Sequence, residues 1–63
     1  MMQRVTYFRE QKHMTQADLC RASGMSPQLL SLIEKGARKL TVKSAKTLSP
    51  ALGVKWYELY SDQ

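Results

Sequence analysis

The segment Gly24–Gly36, GMSPQLLSLIEKG, restricts the fold of this chain most, because it carries both a helix start and a helix stop. Ser26 is a preferred N-cap residue, and Pro27 suits the first helical position, where its missing N–H is not needed. Gly36 suits the left-handed position that follows a helix. The segment therefore predicts a helix over residues 27–35. This helix is dense in apolar side chains, namely Leu29, Leu30, Leu32 and Ile33.

A short helix in a small globular protein needs apolar residues on one face only. With 100° per residue, Leu30 and Ile33 share a face, which we expect to be buried. Leu29 flanks that face, and Leu32 lies well away from it. The outer surface is predicted to carry the remaining side chains, Pro27, Gln28 and Leu32. This outer surface must contact something other than the core.

Two helices are predicted before this segment. Residues 2–12 have apolar side chains at roughly helical spacing, which predicts the first helix. Thr15 is a candidate N-cap, and Asp18 three residues later completes a weak capping box. The second helix is predicted over residues 17–22, with two side chains facing inward, Leu19 and Cys20. Gly24 is the expected turn residue, because glycine adopts positive φ freely.

Two further helices are predicted after the segment. Thr41 is the expected N-cap of helix 4, and Gly53 is its expected end. The inward side of this helix is predicted to be Val42, Ala45, Leu48 and Leu52. Pro50 should kink the helix or end it early, near residues 46–49, because proline removes a hydrogen bond and crowds the carbonyl four residues back. The last helix is predicted over residues 55–60.

The length of 63 residues predicts one domain, residues 1–63, with a small core and no room for a deep active-site cleft. No strand pattern is present, so the predicted class is all-α. No apolar run approaches the roughly 20 residues of a membrane span. A single cysteine excludes an intramolecular disulfide and favours a reduced, cytoplasmic setting.

The charge of the chain indicates its partner. The formal net charge is +5, and residues 35–55 contain only basic charged side chains, with no acid before Glu58. A basic stretch on a small domain is typical of a phosphate-binding surface. The alternative is a solvent-exposed surface that carries an excess of positive charge and binds no particular ligand.

Enzymatic chemistry is not expected. His13 is the only general-base candidate of the usual kind, and nothing near it in the sequence completes a catalytic triad. One Cys and one His do not make a tetrahedral zinc site. Cys20 is expected to be a buried structural thiol, and His13 the C-cap residue of the first helix. We therefore predict no catalytic residues, no metal and no cofactor.

The segment MTQADLCRASGMSPQLLSLIEKGARKLTVKSAKTLSPALGVKWYELY resembles the Cro/phage-repressor (XRE) family of helix-turn-helix domains. The resemblance covers about residues 4–60 without a gap. Its specific parts, in order, are Thr15-Gln16, Gly24, Ser26, Ile33-Glu34-Lys35-Gly36 and Ala51-Leu52-Gly53-Val54. It implies a five-helix, lambda-repressor-like fold with the helix-turn-helix at about residues 16–35.

The resemblance also implies a role for each group of residues. Helix 3 resembles the recognition helix of the major groove, with base-reading positions at Pro27, Gln28, Leu29 and Leu32. Phosphate contacts are expected from Gln16, Ser26, Arg38, Lys39 and Lys43. Arg9 and Glu34 match a pair that bridges helices 1 and 3. Two unrelated surface charges are the alternative for that pair.

Family members usually act as dimers through the last helix, which implies an interface among Trp56, Tyr57, Leu59 and Tyr60. In the competing interpretation these side chains close the monomer core. We expect both to hold, with Leu59 and part of Trp56 in the core and an aromatic rim left for the partner. The chain departs from the family pattern at Ser23, where a large apolar residue is usual, and at Lys55, where a polar cap is usual.

Two functions remain open for the outer face of helix 3. The first is a sequence-specific DNA-binding regulator, a dimeric repressor with a near-palindromic operator, in which Gln28 pairs with adenine and leucines pack on thymine methyl groups. The second is an adaptor that binds a regulatory protein through an exposed apolar patch. The basic loop after helix 3 favours DNA, and the two functions differ in salt dependence.

Overall fold

The computed structural model describes residues 3–60 and contains four α-helices followed by one 3₁₀ helix. The α-helices are α1 (Arg4–Gln11), α2 (Gln16–Ser23), α3 (Pro27–Lys35) and α4 (Val42–Leu52). The 3₁₀ helix, η1, covers Trp56–Leu59. The class is therefore all-α, and the predicted fifth helix is a single 3₁₀ turn.

Side-chain caps fix where the helices begin. Gln3, Thr15, Ser26 and Thr41 each accept a backbone N–H of the first turn that has no partner within its helix. Thr15 and Asp18 form the complete capping box that the sequence predicts, with N–H···O distances of 2.9 and 3.0 Å. Three of the four α-helices end at a glycine in the left-handed region.

One core joins all the elements. It contains Val5 from α1, Leu19 and Cys20 from α2, Leu30 and Ile33 from α3, Ala45, Leu48 and Leu52 from α4, and Leu59 from η1. α4 packs against both α2 and η1, and α2 packs against α3. This arrangement holds α2 and α3 at a fixed angle and leaves one face of α3 uncovered.

The turn between α2 and α3 is filled differently from the sequence expectation. Met25 lies in this turn with 8% of its surface exposed and packs into the core. The Ser23 hydroxyl donates to the Leu19 carbonyl at 2.7 Å and accepts the Met25 N–H at 3.2 Å. Ser23 therefore fixes the turn by hydrogen bonding, while Met25 supplies the apolar volume.

Three boundary predictions differ from the structure. α1 is shorter than the predicted 2–12, and residue 2 lies outside the described residues. α2 extends one residue beyond the predicted 17–22 at each end. α4 does not end early near residues 46–49 but continues to Leu52. The exposed Pro50 lies in the last turn, where solvent surrounds its ring and one helical hydrogen bond is lost.

The prediction that Val42 faces inward is wrong. Its side chain is 47% exposed, whereas the other three predicted inward residues of α4 are buried. Val42 is the first residue of α4, directly after the Thr41 cap. The chain enters the helix there from the exposed loop, so this side chain lies beyond the edge of the core.

Replacing Pro50 by Ala is expected to raise the free energy of unfolding by about 1–2 kcal/mol. The replacement restores a hydrogen bond near the end of α4, and the more flexible unfolded chain offsets part of a gain of about 3 kcal/mol. Urea denaturation followed by circular dichroism measures the difference. Pro27→Ala is the matched control, because proline is favourable at a first helical position, and it should give no gain. An equal gain from both changes would contradict this explanation.

Candidate nucleic-acid interface

The outer face of α3 forms a shallow, open depression. Pro27, Gln28, Ser31 and Leu32 line it. Pro27 and Gln28 are exposed, and Leu32 does not pack on the core. Leu30 and Ile33 lie fully buried on the opposite face of the same helix. The capped N-terminus of α3 and its buried face thus hold this depression in a fixed orientation.

The structure brings together three of the four predicted base-reading residues. Leu29 is different, because it is half-buried and packs against the core, and so it lies on the flank of the depression. Ser31 also lines the depression, although it is not among the predicted outer residues. Helical spacing alone could have predicted that residue 31 lies on this face, since it follows Pro27 by four positions and Gln28 by three.

A basic loop continues directly from this face. The N–H groups of Ala37 and Arg38 both donate to the Leu32 carbonyl, at 2.9 and 3.2 Å. These two hydrogen bonds fold the loop back onto the end of α3, after Gly36 has reversed the chain with φ of 81°. The start of the loop therefore lies against the turn of α3 that carries Leu32.

Four exposed cations belong to this region, Lys35, Arg38, Lys39 and Lys43. Within residues 3–60, no carboxylate forms an ion pair with any of the four. Their charge is therefore not neutralised by the described part of the chain. Unneutralised cations at the end of α3 and after it give this part of the chain a positive charge that attracts a polyanion.

Gln16 and Ser26, the other predicted phosphate contacts, each begin or cap a helix. The Ser26 hydroxyl accepts the Leu29 N–H at 3.2 Å, and its own proton remains able to donate. The Gln16 side chain donates from Nε2 to Glu34 Oε1 at 3.0 Å. An amide nitrogen has two protons, so one N–H of Gln16 remains for a phosphate.

Arg9 and Glu34 lie together in a two-pronged ion pair between α1 and α3. Arg9 Nε donates to Glu34 Oε2 at 2.9 Å, and Arg9 Nη2 donates to Glu34 Oε1 at 3.0 Å. Arg9 Nη1 also donates to the Met14 carbonyl at 2.8 Å. The two side chains are only 12% and 6% exposed. The mostly buried pair therefore connects α1 to α3, next to the start of α2.

The environment of this pair changes both pKa values. Burial raises the pKa of the Glu34 carboxyl, but hydrogen bonds from Arg9 and Gln16 and the charge of Arg9 outweigh it, so the pKa lies below its ordinary value. The hydrogen bond to Glu34 raises the pKa of Arg9 above its ordinary value. Both groups are thus charged throughout the neutral range.

A family model described as Helix-turn-helix, HTH_3, matches residues 6–59, which is most of the chain. The chain belongs to the HTH_3 family. This family is of the XRE, Cro and C1 type, has a lambda-repressor-like fold and binds DNA, and it is typically non-enzymatic. Comparison with curated proteins gave no match. Comparison with solved structures gave none either.

The far end of the HTH_3 domain is aromatic. Trp56 packs edge-on against Tyr57 and Tyr60, with ring centroids 5.8 and 6.0 Å apart. Tyr57 is 59% exposed, whereas Leu59 is 1% exposed and lies in the core. Of the four predicted interface residues, Leu59 therefore cannot contact a partner without leaving the core. Lys55 is not the polar cap that is usual at the start of the last helix. Instead, the Glu58 side chain caps η1 by accepting the Lys55 N–H at 2.9 Å.

His13 and Cys20 are the two side chains that the sequence singled out for possible catalytic or metal-binding chemistry. The prediction that His13 is the C-cap of the first helix is wrong, because Lys12 is the C-cap of α1 and the exposed His13 follows it with φ of 57°. Burial raises the pKa of the Cys20 thiol, which disfavours the reactive thiolate. Across residues 3–60, no cluster of His, Cys, Asp and Glu could hold a metal ion. No helix in this part of the chain has the length and apolar content to cross a membrane.

Proposed function

We propose that this protein is a transcriptional repressor that binds a near-palindromic DNA operator as a dimer, with α3 in the major groove. The observation that carries the proposal is the uncovered face of α3, which exposes the Gln28 amide, together with four exposed cations at the end of α3 and after it that have no carboxylate partner in residues 3–60. An amide and apolar groups read bases, and the cations hold phosphates. The family match supports DNA as the ligand.

The base contacts are proposed for the side chains of the depression. Gln28 pairs with the N6 and N7 atoms of adenine through its amide. Leu32 and Pro27 pack on thymine methyl groups. An apolar side chain such as leucine suits a thymine methyl group better than the polar edge of guanine or cytosine. Leu29 contributes from the flank. Each half of the operator is therefore proposed to contain A·T pairs.

The phosphate contacts surround these base contacts. Gln16 and Ser26 lie at the starts of α2 and α3, where helix N–H groups and the dipole favour an anion. Arg38 and Lys39 lie in the loop after α3, and Lys43 lies in the first turn of α4. These contacts hold the protein in register on the duplex and carry no sequence information.

The dimer is proposed to form through the exposed aromatic rim at η1. Tyr57 with the partly exposed Trp56 and Tyr60 gives an apolar, hydrogen-bonding surface, a composition typical of protein interfaces. A two-fold dimer of this type places two recognition helices about 34 Å apart, one turn of DNA. The near-palindromic operator follows from this symmetry.

A protein-binding adaptor is the second candidate. The depression on α3 is lined mainly by apolar surface, contributed by Pro27 and Leu32, and such surfaces also bind helices or extended segments of other proteins. The adaptor would not need the basic loop beside the same helix. We therefore favour DNA.

Selection from a pool of random DNA duplexes, repeated at low and moderate salt, tests the proposal. The expected result is an enriched palindrome with A·T pairs in each half, whose affinity falls steeply as salt increases. Weak, salt-sensitive binding without enrichment would reject sequence recognition and favour the adaptor. Sedimentation of the free protein and of the complex tests the dimer separately.

Replacing Lys39 by Ala is expected to weaken binding to operator and random DNA by a similar factor. It should also reduce the slope of log affinity against log salt by about one, because one fewer phosphate is neutralised. Lys55→Ala is the charge-matched control, since Lys55 is exposed but directly precedes η1 and does not belong to the loop after α3. An unchanged slope for Lys39→Ala, or an equal change in the control, would remove Lys39 from the phosphate set.

A further inference from the structure

A single carboxylate connects the three helices that surround the proposed DNA-binding face. Glu34, near the end of α3, accepts two hydrogen bonds from Arg9 of α1 and a third from Gln16 of α2. Its Oε1 atom receives both Arg9 Nη2 and Gln16 Nε2, each at 3.0 Å. The Arg9 contacts hold this oxygen in place, so the acceptor that Gln16 meets has a fixed position.

The chemistry of a carboxylate decides how the Gln16 amide is oriented. An ionised carboxylate only accepts hydrogen bonds, so the nitrogen of the amide, and not its oxygen, must point to Glu34. The Gln16 oxygen is then directed elsewhere, and the second Nε2 proton is the donor that remains for a phosphate. In an unanchored glutamine, the amide could rotate and present its oxygen, which a phosphate repels.

We propose that Glu34 is a positioning residue for DNA binding, which holds the Gln16 amide ready to donate its free N–H to a backbone phosphate. The inference rests on the proposed function, because it needs DNA as the ligand. It adds to that function a residue that does not itself touch DNA. Fixing a flexible side chain before binding removes part of the entropy cost of association, so losing the anchor should weaken binding about three- to tenfold.

Two double variants separate this role from a purely structural one. Arg9→Met/Glu34→Met removes the ion pair without leaving a buried charge, a change that is often neutral for stability. It also removes the acceptor for Gln16. Arg9→Met/Glu34→Gln removes the same arginine but keeps an amide oxygen that can accept the Gln16 N–H. The two proteins therefore differ chiefly in whether Gln16 has an acceptor.

The measurement is the affinity of each folded protein for the selected operator. The amide introduced by Glu34→Gln can also donate and is no longer held by Arg9, so it should orient Gln16 less strictly than the carboxylate does. We therefore expect Arg9→Met/Glu34→Gln to bind more weakly than the parent protein but more tightly than Arg9→Met/Glu34→Met, which should bind about three- to tenfold more weakly than the parent. Adding Gln16→Ala should weaken the first variant and have little further effect on the second. Equal affinities for the two double variants, or an equal cost of Gln16→Ala in both, would overturn the proposal.

The salt dependence gives an independent readout. Gln16 carries no charge, so Gln16→Ala should lower affinity without changing the slope against salt, unlike Lys39→Ala. If the parent protein enriches no sequence, the proposed function itself fails. If the operator is found and Lys39→Ala behaves as expected but the Gln16 changes are additive, only the positioning role fails.

Should either double variant fail to fold, nuclear magnetic resonance of the parent protein tests the same geometry. One Gln16 side-chain amide proton, the one donated to Glu34, should keep its chemical shift when the operator is added, while the other should move. Movement of both protons, or of neither, would overturn the proposal.

Discussion

Arg9→Met should lower the free energy of unfolding by about 3–5 kcal/mol, the usual cost of removing one partner from a buried ion pair. The Glu34 side chain is 6% exposed and would keep its charge without the two hydrogen bonds from Arg9. A domain of this size has a total stability of only about 5 kcal/mol or slightly more. Much of the variant should therefore be unfolded at 37 °C, and urea denaturation at 10–25 °C would measure the loss.

Two controls show that the loss comes from burial of the charge. Arg21→Met breaks an exposed pair with Asp18, which has a separation of 2.6 Å, and should have little effect on stability because solvent screens the two charges. Arg9→Met/Glu34→Met removes both buried charges and should recover most of the lost stability. A small effect of Arg9→Met alone would mean that water reaches Glu34 freely.

The same pair gives a direction for the pH dependence. The pKa of Glu34 is lower in the folded protein than its ordinary value of 4.5, so the group stabilises the fold above that ordinary value. This contribution is lost as the pH falls through the folded pKa. Thermal melting between pH 7 and pH 3 should show the decline below about pH 4.5, and the decline should be smaller in Arg9→Met/Glu34→Met. Asp18 has a lowered pKa through its hydrogen bonds with Thr15 and adds a decline in the same range in both proteins.

Gln28→Ala should weaken operator binding by about 1–3 kcal/mol, or roughly 5- to 150-fold, and should relax the preference at one base pair of each half-site. Gln28 is the amide on the outer face of α3, and no other residue of the depression can form a bidentate pair with a base. The measurement is a set of affinities for the operator and for its single-base variants.

The control for this change is Gln11→Ala, which alters an exposed glutamine at the end of α1 and should leave affinity and preference unchanged. A uniform loss over all sequences would place Gln28 on a phosphate and not on a base. An unchanged affinity for the operator would favour the adaptor function of the depression. The comparison with Lys39→Ala is therefore informative, since one change should alter specificity and the other only affinity and salt slope.

Local chemistry made much of the fold predictable. Thr15, Ser26 and Thr41 cap helices because their hydroxyls accept an N–H two or three residues on, a property of the residue type at that spacing. Gly36 ends α3 for a reason that is equally local. The bounds of α3 follow directly, and with them the face that carries Gln28.

Features that depend on packing were less predictable. Val42 has the helical spacing of a core residue, but the end of the core decides that it is exposed. Pro50 is a strong helix breaker by type, yet its position in the last exposed turn lets α4 continue. Met25 in the turn compensates for the small Ser23, and no periodic pattern contains that exchange. Ser31 could have been found from helical spacing alone.

The candidate site contains both kinds of feature, some set by local chemistry and others set by packing. Arg9 and Glu34 are far apart in sequence, and their pairing was implied by resemblance and not by spacing. The hydrogen bond from Gln16 to Glu34 needs the final angle between α2 and α3, which is a consequence of the whole core. Specificity residues on one helix are thus readable from sequence, whereas the contacts that orient them are not.

The shared core has a consequence for the lifetime of the DNA-binding face. Since every helix, the turn at Met25 and η1 bury side chains in one core, opening α3 would expose apolar side chains of the other elements, and we expect α3 to open together with them. Its backbone amides should exchange with deuterium no faster than those of α4, at the rate of complete unfolding. Proteases acting on the closed regions would depend on that same rare event. A substitution of a core residue packed under η1, which contacts no base, would then change the amount of protein that survives in the cell. It would not change the DNA sequence that the protein recognises.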